Sequence, residues 1–288
     1  MDLNTVTEFA PAATAAWRDG DAWLGGGTWL LSQPQPRVQR LLDLHDFGWT
    51  ALTETDDGLR IAATCTLAEL RRWRPARPAY TPGASLGRRC CDALLGSFKV
   101  QNVATVGGNV CLSLPAGPMT SLTASLDGIA TLAAPGGGIR RVPVAEFVTG
   151  DGENTLASGE LLTHVDLPAG ALAARSAFRQ VSLSPVGRSA VLVIARLDDR
   201  PVDAANAQPA PEHPGGPAVI TVTAASPRPV QLRFARLPTA DEALSALDAA
   251  APTYLDDVHG GGSWRAAMTR RCLAEVIAEL AGERGPAR

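Results

Sequence analysis

Two short glycine-rich segments hold the residues best suited to chemistry. The first reads Leu24-Gly25-Gly26-Gly27-Thr28-Trp29. Glycine lacks a Cβ, so successive peptide N–H groups can converge on an anion. Thr28 adds a hydroxyl donor. A loop of this kind directly after a strand suits a pyrophosphate, although three glycines in a row can also be only a flexible turn. The second segment, Thr105-Val106-Gly107-Gly108-Asn109, again pairs two glycines with flanking polar groups, and the Asn109 amide can donate and accept at once. Its plainer alternative is a tight turn between strands with Asn109 in a left-handed conformation. Neither segment is a G-x-G-x-x-G fingerprint, which argues against a Rossmann domain, and no G-x-x-x-x-G-K-[ST] phosphate loop occurs.

The other candidates for chemistry are sparse. Cys65, Cys90, Cys91, Cys111 and Cys272 are odd in number and form no C-x-x-C pair, so neither a disulfide framework nor a cluster ligand set is expected. They read as small buried apolar residues. His45, His164, His213 and His259 are scattered without metal-ligand spacing, and no bound metal is expected. Asp43-Leu44-His45 and Asp257-Val258-His259 are chance neighbours, and no acid–base residue is assigned.

The elements that must position the two loops follow from local pattern. Thr7 to Trp17 reads as a short Ala-rich helix, Ala22 to Leu24 as the strand feeding the first loop, and Arg40 to Leu44 as a neighbouring strand. Ala51 to Thr53 and Leu59 to Ile61 flank the hairpin signal Asp57-Gly58. Thr66 and Glu69 form a capping box, and Leu86, Cys90, Leu94 and Phe98 predict one face of a helix over Ala84 to Phe98. Strands at Ile129 to Leu132 and Ile139 to Val142 surround a Pro-Gly turn. Past a boundary at Pro168 to Ala174 come strands at Phe178 to Leu183, Ala190 to Arg196, Val219 to Ala224 and Val230 to Phe234. Between the second and third of these, Asp198 to Pro217 is expected to be a mobile loop. Thr239 and Glu242 cap a further helix, and a last one carries Trp264, Met268, Cys272, Val276 and Leu280 as a packing stripe.

Bulk properties narrow the class. The 288 residues suffice for two or three cores, and 45% hydrophobic against 19% charged is a globular balance. A net charge of -3 gives no sign of a nucleic-acid partner. No apolar run nears the roughly 20 residues of a membrane helix, and the first residues lack a signal-peptide pattern, so no membrane association and a cytoplasmic location are expected.

Taken in order, the segments resemble the flavoprotein (medium) subunits of molybdenum hydroxylases of the xanthine dehydrogenase and carbon monoxide dehydrogenase type. Gly25-Gly26-Gly27-Thr28 is similar to that family's GGT-type loop, and Ala104-Thr105-Val106-Gly107-Gly108-Asn109 to its A-T-I-G-G-N turn. Val142 to Phe147, Gly159 to Pro168, Ser176 to Val181 and Gly262 to Met268 continue the likeness over almost the whole chain. The resemblance implies an α+β fold. A two-part α/β FAD-binding domain of the p-cresol methylhydroxylase (PCMH) type would occupy 1–170, in parts 1–55 and 56–170, and a smaller α+β domain 174–288. It implies FAD as cofactor, an iron–sulfur small subunit and a molybdopterin large subunit as partners, and relay of electrons to an external acceptor. Carried over by position, Leu24, Gly25, Gly26, Gly27, Thr28 and Trp29 with Thr105, Gly107, Gly108 and Asn109 would surround the pyrophosphate, Leu162 would pack near the isoalloxazine, and Arg179 would approach the ring as a cation. Arg179 read on its own is equally a solvated strand residue. The sequence departs from the family at Trp29 and Pro118, where relatives often have Asp, and at Gln101, where they have Arg. These departures keep two rivals open, a stand-alone flavoenzyme and a non-catalytic scaffold subunit.

Overall fold

The computed structural model describes residues 5–198 and 216–282. The chain opens with β1 (Glu8–Pro11), β2 (Asp21–Leu24) and β3 (Arg40–Asp43), a parallel sheet with β3 in the middle. Helix was expected over Thr7 to Trp17. The Ala-rich composition is overridden because Pro11 would break a helix interior, whereas an edge strand tolerates a residue with no N–H.

Next come β4 (Leu52–Thr55), β5 (Gly58–Ala62), α1 (Leu67–Arg72), α2 (Thr81–Asp92), α3 (Phe98–Gln101), α4 (Val106–Leu112) and α5 (Pro118–Ser125). The hairpin turn falls on Asp56-Asp57, one residue earlier than expected, and Gly58 already pairs with Thr55. Thr66 and Glu69 form the expected capping box. The single helix expected over Ala84 to Phe98 is two. Pro82 in its first turn starts α2 early, α2 stops at Asp92, and Ser97 accepts from the Val100 amide as N-cap of α3. Leu94 and Leu95 are thereby released from the helix.

The chain continues through β6 (Ile129–Ala133), β7 (Ile139–Pro143), α6 (Val144–Phe147), β8 (Val148–Gly150), β9 (Glu153–Asn154), β10 (Leu161–Pro168) and α7 (Ala169–Ala173). An antiparallel sheet runs in the order β4-β5-β10-β6-β7. One core gathers its apolar residues with those of α1, α2, α4 and α5. α5 is buried along its whole length, so its sequence Pro-Met-Thr-Ser-Leu-Thr-Ala-Ser shows no amphipathic stripe.

The remaining elements are β11 (Arg175–Val181), β12 (Val191–Leu197), β13 (Ala218–Thr223), β14 (Val230–Phe234), α8 (Ala240–Ala250) and α9 (Gly262–Ala281). The four strands make an antiparallel meander. α9 covers β11 and β12, while α5 lies against β12 and β13. That sandwiching explains why every residue of β12 and β13 is buried and why neither alternates between apolar and exposed polar positions. The buried stripe of α9 includes Cys272, Val276 and Leu280 as expected, but its first turns bury Arg265 and Thr269 in place of Trp264 and Met268. Arg265 can be buried because its guanidinium donates to the carbonyls of Ala190, Ala224 and Gly260 and pairs with Asp257. Most of the expected loop from Asp198 to Pro217, with His213, lies outside the described residues. No described helix is long and apolar enough to cross a membrane.

Candidate functional site

β2 carries the chain into the first glycine loop. Its first residue, Asp21, has a fully buried carboxylate that accepts from Arg40 on β3 at 2.8 and 2.6 Å. That guanidinium holds the Asp21 carboxyl below its ordinary range, so the pin stays charged. Trp23 ties the same strand to the Gly159 carbonyl at 3.3 Å. After Gly25 and Gly26 the chain makes one helical turn, closed by the Leu31 amide on the Gly27 carbonyl at 2.8 Å. Gly27 adopts φ +65°, a value that favours glycine. Among the described residues the amides of Gly26, Gly27, Thr28, Trp29 and Leu30 meet no acceptor. The loop is a set of donors without partners, which is what an anion requires.

The second segment is built differently. It opens α4 instead of turning between strands, and Asn109 is helical rather than left-handed. Thr105 is the N-cap, its Oγ1 accepting from Gly108 N at 3.0 Å. The amides of Val106, Gly107 and Asn109 are taken by the carbonyls of Cys65, Ala63 and Thr105. Loop two is therefore a scaffold more than a donor array. Its free donor is Asn109, whose Oδ1 accepts from Met119 N at 2.9 Å and whose Nδ2 has no partner among the described residues.

The two loops lie against each other. A Cβ on Gly25 would stand 3.1 Å from Thr105 Oγ1, and one on Gly26 would overlap the Val103 carbonyl. That approach requires glycine at Gly26 and leaves little room for a side chain at Gly25.

A cleft of about 480 Å³ opens along this seam, lined by Gly25 to Trp29, Thr105, Gly108 and Asn109. Of the residues expected at the site, these come together. Leu24 lies beneath the loop, Gly107 is buried against Ala63, and neither lines the cleft. Leu162 is 2% exposed in the central core. Arg179 sits elsewhere, paired with Glu275 at 2.9 Å and Glu279 at 2.5 Å, beside a separate surface hollow with Arg89 and Phe178. Sequence reasoning missed the apolar wall formed by Leu30, Leu94, Leu95, Val100 and Leu114. The signal for part of it was Gly96-Ser97, which ends one helix and caps the next.

No acidic, basic or histidine side chain lines the cleft among the described residues. Cys111 does, and burial pushes its thiol up to about 12. The site can hold an anion by backbone amides and a flat apolar group by its wall, but it carries no acid–base pair. The departures Gln101 and Pro118 do not thin out these donors. Gln101 donates to the Cys91 carbonyl at 3.3 Å in another groove, and Pro118 begins α5. A cavity of about 500 Å³ on the outer face of the five-stranded sheet contains Arg60, Arg141 and Asp166, but both guanidiniums are spent on that carboxylate, at 2.8 and 3.2 Å.

A parallel three-stranded unit, an antiparallel sheet and two glycine loops that meet over a cleft of free amides define a fold suited to holding a phosphate-bearing ligand. The family described as the FAD binding domain in molybdopterin dehydrogenase matches residues 4–170, and the chain belongs to it. It is 27% identical over 286 residues to the putative xanthine dehydrogenase FAD-binding subunit XdhB of Escherichia coli (strain K12), covering 90% of each chain. The fold is similar to that of quinoline 2-oxidoreductase from Pseudomonas putida 86, with a TM-score of 0.76 at 19% identity over 98% of this chain and 99% of the other. It is equally similar to CO dehydrogenase from Oligotropha carboxidovorans, with a TM-score of 0.76 at 18% identity over 97% of this chain and 98% of the other.

Proposed function

We propose that this protein is the FAD-carrying subunit of a molybdenum hydroxylase. In this reading the substrate is oxidised at a molybdopterin large subunit, and an iron–sulfur small subunit passes the electrons to this chain, which delivers them to an external acceptor. The observation that carries it is the cradle of unpartnered amides from Gly26 to Leu30 with Asn109 Nδ2, in a cleft that no carboxylate, basic or histidine side chain lines among the described residues. The residues fit the cofactor, since a pyrophosphate needs converging donors and its attached rings need an apolar wall. When bound, FAD supplies the reversible uptake of electrons. The chain's own part is to bind and orient it: Gly25 to Trp29, with Thr105, Gly108 and Asn109, surround the pyrophosphate. Leu162 near the isoalloxazine and Arg179 approaching the ring as a cation remain parts of this reading that draw no support from the cleft, which neither residue lines. Residues 1–170 form the FAD-binding unit and 174–288 the C-terminal unit, a division supported by their separate sheets, although the central core also takes in Phe178, Leu192, Ile194 and Ala224.

The lack of an acid–base group in the cleft favours a relay over a stand-alone flavoenzyme acting on its own substrate. A cytoplasmic location belongs to the same reading and is supported by five free cysteines, the state that reducing compartments maintain. The test is to purify the chain from its native cell with its partners. Flavin absorbance, released FAD and co-purifying iron and molybdenum are expected. A folded protein that neither holds nor takes up FAD would overturn the reading.

A further inference from the structure

We propose that Trp29 is a stacking surface for one of the ring systems of the dinucleotide, a role that rests on the FAD reading above. Trp29 follows Thr28 directly in the amide cradle, and the residue is 43% exposed. Its backbone is nonetheless fixed. The Gly27 carbonyl accepts from Leu31 N, and the Trp29 carbonyl accepts from both Ser32 N and Ser32 Oγ at 2.9 Å. The base of the side chain is held while its face is left to solvent.

No hydrogen bond or ring contact engages this indole among the described residues. By contrast, Trp17 and Trp23 pack at 4.9 Å, and Phe47 and Trp49 stack at 4.6 Å. Exposed apolar residues are common and need no special account. This one stands beside free amides and shares the cleft with Leu94, Leu95 and Val100. A phosphate held by those amides brings its attached ring to the same wall, where a flat π face can cover it. Stacking there adds an apolar hold to a cradle built mostly of backbone donors. Adenine and isoalloxazine share the required chemistry, a planar ring tethered to phosphate.

The full-length chain, stripped of bound nucleotide, is titrated with FAD, ADP and FMN. Affinity and intrinsic tryptophan fluorescence are followed for the wild type, Trp29→Phe and Trp29→Ala, with far-UV circular dichroism confirming the fold of each. Trp29→Ala is expected to weaken FAD binding about tenfold, and Trp29→Phe by no more than about threefold, since a smaller ring still stacks. The part of the fluorescence quenching that Trp29→Phe removes belongs to this indole. Its appearance with ADP assigns adenine to the indole, and its appearance with FMN assigns isoalloxazine. If Trp29→Ala binds FAD as tightly as the wild type, the stacking role is wrong and the FAD reading stands. If the wild type itself binds no FAD, both fall.

Discussion

Ser121 on α5 and Thr223 on β13 share a hydrogen bond of 2.6 Å, with both residues sealed from solvent. It is one of several polar ties among the described residues that fasten α5, and Asp127 just past its end, to the C-terminal sheet. Gln231 donates to the Ala124 carbonyl, Arg196 to the Ser125 carbonyl, and both Arg196 and Arg233 to Asp127.

This arrangement predicts an asymmetry between two small substitutions. Ser121 Oγ has a second partner in the Gly117 carbonyl at 3.3 Å, whereas the Thr223 hydroxyl depends on Ser121. Ser121→Ala should therefore strand a buried hydroxyl and destabilise by about 1–3 kcal/mol, while Thr223→Val should be milder. The double variant should be less destabilised than the sum. Urea midpoints of the three variants measure this, and equal single effects would refute the asymmetry.

Arg196 is the larger stake at the same junction. Its side chain is 3% exposed and binds Asp127 at 2.6 Å and Asp198 at 2.7 Å. Arg196→Met leaves two carboxylates short of a partner and should destabilise by about 3–5 kcal/mol. Arg233 also pairs with Asp127 but is mostly exposed, so Arg233→Met should change stability by no more than about 1 kcal/mol. Comparable denaturation midpoints for the two variants would contradict the difference.

Gly26→Ala should separate the loops, because the added methyl meets a backbone carbonyl that no side-chain rotation can move. A loss of about 1–3 kcal/mol of stability and at least about tenfold weaker FAD binding are expected. Gly136→Ala is the control, since nothing lies within 4 Å of its added Cβ. Calorimetry with and without FAD reads both quantities.

Glu160 sets a pH dependence. Its carboxylate accepts from Arg140 at 2.8 and 2.6 Å and from the Ala157 amide at 2.7 Å, and the Arg140 bond above all lowers its pKa to about 2. A depressed carboxyl contributes stability that is complete above its ordinary value of 4.5 and is lost as pH falls through about 2. Glu160→Gln should remove that share of the acid-side slope. Melting temperatures from neutral pH down through this window test it, and an unchanged slope would dismiss the role.

Much of the architecture was legible because its signals are local. Thr66-Glu69 and Thr239-Glu242 cap helices where their spacing says they must. The elements that escaped are those decided by distant partners. β1 is a strand because β3 lies beside it, and α5 has no stripe because it is covered on every side. The site shows the same division. Gly25 to Thr28 and Asn109 announced themselves by type, but which amides remain free depends on Ala63 and Cys65 claiming those of the second loop. Leu94 and Leu95 could join the wall only once Ser97 had begun a new helix.

The seam between Gly26 and Val103 also makes the cradle a checkpoint on assembly. Both loops line the pocket, so its full lining exists only where the first parallel unit lies against the second glycine segment. Once docked, a ligand that binds only the finished topology holds it there by mass action.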